Sequence, residues 1–328
     1  MTGKNRSEPL AVPKVGVILL NWNGGEFTIP CIRTLLQSEF KPWRILVFDN
    51  ASDDGSPERI ATLFPQVEVV RSDRNLGFTG ANNEGIRLLK KQGADLIWIL
   101  NNDTIVDKSC LKNLVEQMEL DPDLAVSTGK ILFEKPPNQI WYAGGHWRYW
   151  TLSAPHVGAN ELDNGQYDRP LDVSFVSGCC MLVRAWAFDR VGTFSEKYFA
   201  ISEDGDWCLR AVKTKLRMRY IPAAILWHKV SASQRKNTLG KCKSSNSPFT
   251  NYLTTRNDAF IILQHAESQL QRMSALSWFI IDRLYVIGGL TVLRRWDTLR
   301  GVLYGLYDGL SNKGGLSTSL QRLSLLMR

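Results

Sequence analysis

Ile97-Trp98-Ile99-Leu100-Asn101-Asn102-Asp103 is an apolar run that stops abruptly in two amides and a carboxylate. A buried strand ending this way sets its first polar side chains at the carboxyl edge of a sheet, where open α/β folds bind ligands. Alone, the stretch equally suits a strand followed by an Asx turn that caps a helix starting near Lys108. The stretches before it decide between the two. Residues 14–20 (KVGVILL) read as a first buried strand running into Asn21-Trp22-Asn23-Gly24-Gly25, and Ile32, Leu35 and Leu36 then fall on one helical face. Residues 43–48 (WRILVF) read as a second strand ending at Asp49-Asn50-Ala51-Ser52-Asp53-Asp54-Gly55, with a short helix behind it that starts at Pro57. Residues 67–70 form a third, and Asn75-Leu76-Gly77-Phe78-Thr79-Gly80 leads into a helix from about Ala81 to Lys91. Strand and helix thus alternate four times, which predicts a parallel sheet flanked by helices. Three of these strands end in Asn or Asp clusters that gather at one edge.

The 328 residues are 44% hydrophobic and 22% charged, as in an ordinary soluble globular protein. Six cysteines (Cys31, Cys110, Cys179, Cys180, Cys208, Cys242) form no C-x-x-C pair, and the N-terminus is not signal-like, so a reducing cytoplasm is expected. Charge is unevenly spread. Residues 1–206 hold 21 Lys+Arg against 27 Asp+Glu, whereas residues 207–328 hold 19 against 5. The basic half is expected to face something anionic, such as a phospholipid surface or a diphosphate-bearing substrate. No nucleic-acid-binding module accompanies the charge, so a nucleic-acid partner is not expected. Neither G-x-G-x-x-G nor a Walker A sequence is present, which argues against a dinucleotide enzyme or P-loop NTPase.

Residues 133–169 are rich in Gly, Pro and aromatics (Trp141, Tyr142, Trp147, Tyr149, Trp150) and read as hairpins and loops, the rings either packing inward or stacking on a sugar or lipid. Residues 173–183 read as a strand interrupted by Gly178. Glu203-Asp204-Gly205-Asp206-Trp207 opens a helix through Arg210, where acids at the N-terminus would suit a cap as well as a site. A short strand at 217–221 and the run Ala224-Ile225-Leu226-Trp227 deliver His228. Residues 252–310 read as helices whose charge-free stretches are about ten residues long, short of the roughly 20 a membrane span needs. Trp278, Phe279, Tyr285 and Trp296 among Arg283, Arg294, Arg295 and Arg300 suit helices lying in a membrane interface or packing on the main domain.

Seven pieces, in order, resemble the inverting family 2 glycosyltransferases of GT-A fold, and most of all their bacterial rhamnosyltransferase-like branch. They are Asn21-Trp22-Asn23, Asp49 through Gly55, Asn75-Leu76-Gly77-Phe78, Asn101-Asn102-Asp103, Glu203-Asp204-Gly205-Asp206, His228-Lys229-Val230-Ser231 and Tyr252-Leu253-Thr254-Thr255-Arg256-Asn257, spread over residues 14–260. The resemblance implies a Rossmann-like mixed sheet flanked by helices, with a glycosyltransferase domain (14–248) and a C-terminal helical region (249–328) meeting a membrane or partner; the polar N-terminus (1–13) is expected to be disordered. It implies that Asp49 holds the base or ribose of the nucleotide. Asn21, Asn23, Arg71, Asn75, Gly77, Asn83 and Asn102 would serve the same nucleotide-sugar site. Asp103 would be the last residue of a D-x-D metal motif and His228 its imidazole ligand, for Mn²⁺ or Mg²⁺. Asp204 would be the general base, supported by Glu203, with Asp206 structural.

One departure stands out: the motif's first carboxylate is Asn101 here. The Q-x-x-R-W motif of processive members is absent, which favours single-sugar transfer. The expected activity is transfer of one sugar from a dTDP- or UDP-sugar, with rhamnose from dTDP-rhamnose the first candidate. The acceptor would be a glycan or lipid-linked glycan, and the enzyme would sit on the inner face of a bacterial plasma membrane, held by an anionic surface. Asn101 also keeps open a non-catalytic nucleotide-sugar binding subunit. A sugar nucleotidyltransferase would need a Gly-rich triphosphate loop that Asn21 to Gly25 does not supply.

Overall fold

The computed structural model describes residues 12–229 and 247–326. Most of the expected disordered N-terminus, the Val230-Ser231 end of one motif and most of the basic, Ser-rich segment lie outside the described residues.

The first half alternates as expected: β1 (Val15–Asn21), α1 (Gly25–Leu36), β2 (Arg44–Asp49), α2 (Ser56–Leu63), β3 (Glu68–Arg71), α3 (Gly77–Lys91) and β4 (Leu96–Leu100). These strands are parallel in the order β3-β2-β1-β4. All five residues of β4 are buried, because β1 covers one edge and a later strand the other. The stretch at 97–103 therefore reads correctly as a central strand that breaks off at the carboxyl edge.

Beyond it the chain departs from strict alternation. It runs through β5 (Thr104–Val106), α4 (Cys110–Leu120), β6 (Leu124–Phe133), β7 (Ile140–Tyr142), β8 (Leu171–Val173), β9 (Cys180–Arg184), α5 (Ala185–Val191), α6 (Glu203–Lys213) and β10 (Arg217–His228). The sheet continues β4-β9-β6-β10-β5, with β9 antiparallel to both β4 and β6, so it is mixed. The anticipated strand around Gly178 is two short ones, β8 and β9, on different partners. The two runs around Pro222 are one strand, β10, with a register shift between Ile221 and Ile225 that accommodates the imino acid.

Four helices follow: α7 (Pro248–His265), α8 (Gln269–Val292), α9 (Trp296–Leu310) and α10 (Leu316–Leu326). Gly301, Gly305 and Gly309 line one face of α9 and admit α7 so closely that a Cβ at Gly305 would lie 2.7 Å from the Tyr252 carbonyl. The two short apolar stretches of the sequence join here into one 24-residue helix, α8. By length and composition it is long enough to cross a membrane, and only 17% of its apolar window is buried, Ala275 and Phe279 being among the side chains of α8 packed on the rest of the chain.

Candidate active site

Strand register sets the first part of the site. Asn21 pairs with Asp49 across β1 and β2, and Asp49 with Arg71 across β2 and β3, so the three stand in a row at the carboxyl edge. Asp49 is fully buried. Its Oδ1 accepts from Asn21 Nδ2 (2.8 Å) and Ser52 Oγ (2.5 Å), and its Oδ2 from the Ser52 amide (3.1 Å). The half-exposed Arg71 closes over it with Nε 3.7 Å from Oδ2, and also pairs with Glu58.

Asn21, expected to line the nucleotide pocket, lies beneath the edge. It is wholly buried, its amide nitrogen serves Asp49 and Ser56 (2.8 Å each), and its oxygen accepts from Thr28 Oγ1 (2.8 Å). Both of its amide hydrogens are committed within the protein. Asn102 donates to the same Thr28 hydroxyl (2.7 Å), so a relay from Asn102 through Thr28 and Asn21 to Asp49 ties the tips of β4, β1 and β2 together. Asn83 is committed as well: its amide takes the Phe194 main chain at both ends (2.9 and 3.0 Å). Asn23 is exposed, with its Oδ1 on the Asp53 amide (2.9 Å). Asn75 Oδ1 accepts from Asn50 (2.8 Å) and the Gly77 amide (2.8 Å). Gly77 itself has φ +72°, and a Cβ there would lie 2.5 Å from the Phe199 carbonyl. Only glycine fits that turn.

The second part lies past β4. Antiparallel pairing of β10 with β5 sets His228 opposite Thr104 and so beside Asp103, with Nε2 3.1 Å from Oδ1. His228 is 8% exposed, Trp141 meets it edge-on at 4.7 Å, and its Nδ1 is buried without a hydrogen-bond partner. Neighbouring ligands of an octahedral cation with bonds near 2.1 Å lie about 3 Å apart, so this pair fits two adjacent positions. Among the described residues no third His, Cys, Asp or Glu joins them. A cation there would take its remaining ligands from phosphate oxygens and water, as Mg²⁺ sites commonly do. Asn101 contributes main chain only: its amide donates to the Cys179 carbonyl (3.1 Å) and its carbonyl accepts from Thr104 (2.7 Å).

The third part is the carboxylate pair at the start of α6. Phe199, Ile201 and Ser202 all adopt left-handed backbone (φ +67°, +68°, +65°), a conformation costing of order 1–3 kcal/mol per non-glycine residue. It persists because α7 holds the loop. Asn257 Nδ2 donates to the carbonyls of Ala200 (2.8 Å) and Ile201 (2.6 Å), and Arg256 Nη2 to that of Tyr198 (2.6 Å). Arg256 is fully buried and continues to Ser319 and, through Tyr252, to Asp308. The motif at 252–257 therefore aims α6, a role its sequence did not reveal. Its contacts also cross the expected division at residue 248.

Asp204 accepts from the amides of Gly178 (2.9 Å) and Gly205 (2.7 Å). Burial raises its pKa above the usual carboxylate range, while these two amides pull it back. Glu203, 5% exposed, has no amide partner at Oε2; burial, and then the charge of Asp204, push it well up, so it is the one that keeps a proton. Asp206 behaves differently. Burial alone would raise it, but His265 Nε2 (2.8 Å) and Arg210 Nε (2.9 Å) outweigh that and hold it low, which makes it a structural anchor. Gly178 and Cys179 link the two ends of the site, one donating to Asp204 and the next accepting from Asn101.

Glu203 and Asp204 open on a cavity of about 470 Å³ whose walls include Trp141, Trp147, Phe175 and residues of α7 and α8. The aromatics of 141–150 thus divide: Tyr142 is core, Trp141 and Trp147 line this cavity, and Tyr149 and Trp150 are exposed. His156 lines it too, stacked on Phe175 and held neutral by burial, which lowers its pKa to about 4.

A mixed sheet with a polar carboxyl edge, and a buried carboxylate pair opening on a cavity, is the layout of a GT-A glycosyltransferase. Solved structures of such enzymes share the fold. One is GalNAc-T7 with UDP, GalNAc and Mn²⁺, at TM-score 0.56 and 13% identity, covering 85% of this chain and 58% of that one. Another is the mannosyltransferase PcManGT from Pyrobaculum calidifontis with GDP-Man and Mn²⁺, at TM-score 0.53 and 15% identity, covering 92% and 88%. The chain belongs to glycosyl transferase family 2, whose model matches residues 16–192, and is an enzyme of sugar transfer. Curated relatives include the N-acetylglucosaminyl-diphospho-decaprenol L-rhamnosyltransferase of Mycobacterium tuberculosis, 25% identical over 67% of this chain and 77% of that protein. The dTDP-rhamnosyl transferase RfbF of Shigella flexneri is 24% identical over 67% and 70%.

Proposed function

We propose that the protein transfers a single sugar, with rhamnose from dTDP-rhamnose the first candidate, to a lipid-linked or polysaccharide glycan with inversion. The observation that carries this reading is Asp204: a carboxylate held in place by two backbone amides on a cavity wall, with its pKa raised toward the range a general base needs. The names of the relatives above favour rhamnose and a lipid-diphosphate acceptor.

In this reading the nucleoside lies against Arg71 and Asn23 at the strand edge, positioned by the buried Asp49 beneath, and Asp103 with His228 would hold a divalent cation, Mn²⁺ or Mg²⁺. When bound, the cation offsets the charge that develops on the departing diphosphate. An acceptor hydroxyl in the cavity gives its proton to Asp204, and its oxygen bonds to the anomeric carbon. The bond from that carbon to the diphosphate breaks on the opposite face, and the nucleoside diphosphate leaves. Glu203, protonated, adds no second charge beside the base. Asn23, Asn75, Gly77 and Asn102 shape the loops around the donor, and Asn21 supports Asp49 from beneath.

The exposed apolar side of α8 and α9 (Ile281, Leu284, Tyr285 and Trp296 among them), flanked by Arg294, Arg295 and Arg300, suits a helix pair lying in the plane of an anionic membrane surface. Because α8 also walls the cavity, docking in-plane keeps it with the site. This gives a cytoplasmic enzyme, peripheral on the inner face of the plasma membrane. Replacement of Asp204 by Asn tests the chemistry: turnover is expected to fall by about 10²–10⁴-fold with donor affinity retained. Unchanged turnover would remove the base assignment. Donor binding without turnover in the unmodified protein would favour the binding subunit that Asn101 suggests.

A further inference from the structure

The cavity in front of Asp204 has a second acidic wall. Besides Glu203 and Asp204 it is lined by Asp258 of α7 and Asp282 of α8, with Trp147 and Trp278 beside them, and by no Lys or Arg. Two features say that it is built for a ligand. Glu203 is more than nine-tenths buried with Oε2 unpartnered, and the indole Nε1 of Trp147 is likewise buried without an acceptor. The carboxylate of Asp258 makes no hydrogen bond among the described residues. Asp282 is paired with Arg283, which also donates to Thr255 (3.1 Å).

Indole faces and carboxylates together are the chemistry of carbohydrate recognition. The rings cover the apolar C–H faces of a pyranose, and each carboxylate accepts from its hydroxyls in charge-assisted hydrogen bonds. An anionic sugar would bring a further negative charge against Asp204, Asp258 and Asp282 with no Lys or Arg on the lining to receive it. We propose that this cavity is the acceptor subsite, that it takes an uncharged glycosyl unit and discriminates against acidic ones, and that Asp258 and Asp282 select it by binding its hydroxyls. This rests on the transferase reading and names the acceptor class of that same site. Asp258 is also held at a cost. Burial lifts its pKa to about 6, against the pull of Arg283 and with the push of Asp282.

The test uses the full chain and four probes: methyl α-rhamnoside, methyl N-acetyl-β-glucosaminide, methyl α-mannoside and methyl β-glucuronide, followed by saturation-transfer NMR and tryptophan fluorescence. At least one neutral glycoside is expected to bind, with the glucuronide at least tenfold weaker. Asp258→Asn is expected to weaken neutral binding about tenfold while the fold, read by thermal melting, stays intact. Because Asp282 also holds Arg283, Asp282→Asn is the second variant. The proposal is overturned if no neutral glycoside binds, if the glucuronide binds as tightly, or if both variants bind as the unmodified protein does. Failure of the transferase reading shows elsewhere, as absence of nucleotide-sugar turnover by a protein that still binds glycosides.

Discussion

Asp204 and Glu203 share a site that penalises charge, and hydrogen bonds decide which of them keeps it. Two backbone amides face Asp204 and none faces Glu203 Oε2. Glu203→Gln is therefore expected to preserve most activity, within about tenfold, whereas Asp204→Asn is not. Only the ionised base works, so activity is lost as pH falls through the raised Asp204 pKa. The acidic limb of kcat/KM should lie above the roughly 3.9 of an ordinary aspartate, and a limb at or below it would contradict the assignment. Asp258 gives a stability counterpart. Its folded pKa of about 6 exceeds the unfolded value, so the folded state binds the extra proton and stability declines as pH rises from about 4 to about 6. Asp258→Asn should remove that penalty, gaining up to about 3 kcal/mol at pH 7.5 and nothing near pH 4. Equal melting temperatures at pH 7.5 would refute the cost.

At the scale of elements, the site depends on α7 reaching back to the loop before α6. Asn257→Ala strands the carbonyls of Ala200 and Ile201 and is expected to cost about 2–4 kcal/mol, together with a fall in kcat that exceeds any change in donor affinity. Denaturant midpoints and steady-state kinetics check both. The sequence made the parallel half of the sheet legible because β1, β2 and β4 are each a short apolar run closed by Asn or Asp. Strand residues at β9 were legible too, but not their direction, since the antiparallel place between β4 and β6 is set by partners more than 50 residues away in the chain. Asn21 shows the same limit at finer grain. An amide at a strand end reads alike whether it meets solvent or is consumed by Thr28, Ser56 and Asp49. The motif at 252–257 could be matched but not interpreted, because what it holds, the left-handed backbone at 199–202, leaves no pattern of its own in non-glycine residues.

Over the whole molecule, Gly178 and Cys179 join the strand-edge residues to the carboxylate pair and its cavity, and the C-terminal helices wall that cavity while exposing an apolar side. Tyr285→Asp combined with Trp296→Asp is expected to weaken co-sedimentation with anionic vesicles by tenfold or more, given about 1.5–3 kcal/mol for each large apolar side chain withdrawn. Unaltered sedimentation would remove the membrane from the account. In the proposed reading, Asp103 and His228, lacking a second motif carboxylate, would leave a bound cation dependent on the donor's own phosphates. The most direct test is a donor panel: nucleoside diphosphate release and thermal shift with dTDP-rhamnose and with other dTDP-, UDP- and GDP-sugars, each with Mn²⁺, Mg²⁺ or EDTA. Cation-dependent stabilisation and release from one donor, dTDP-rhamnose first, is the expected result. No stabilisation and no release with any of them would contradict the claim that this protein transfers a sugar from a nucleotide.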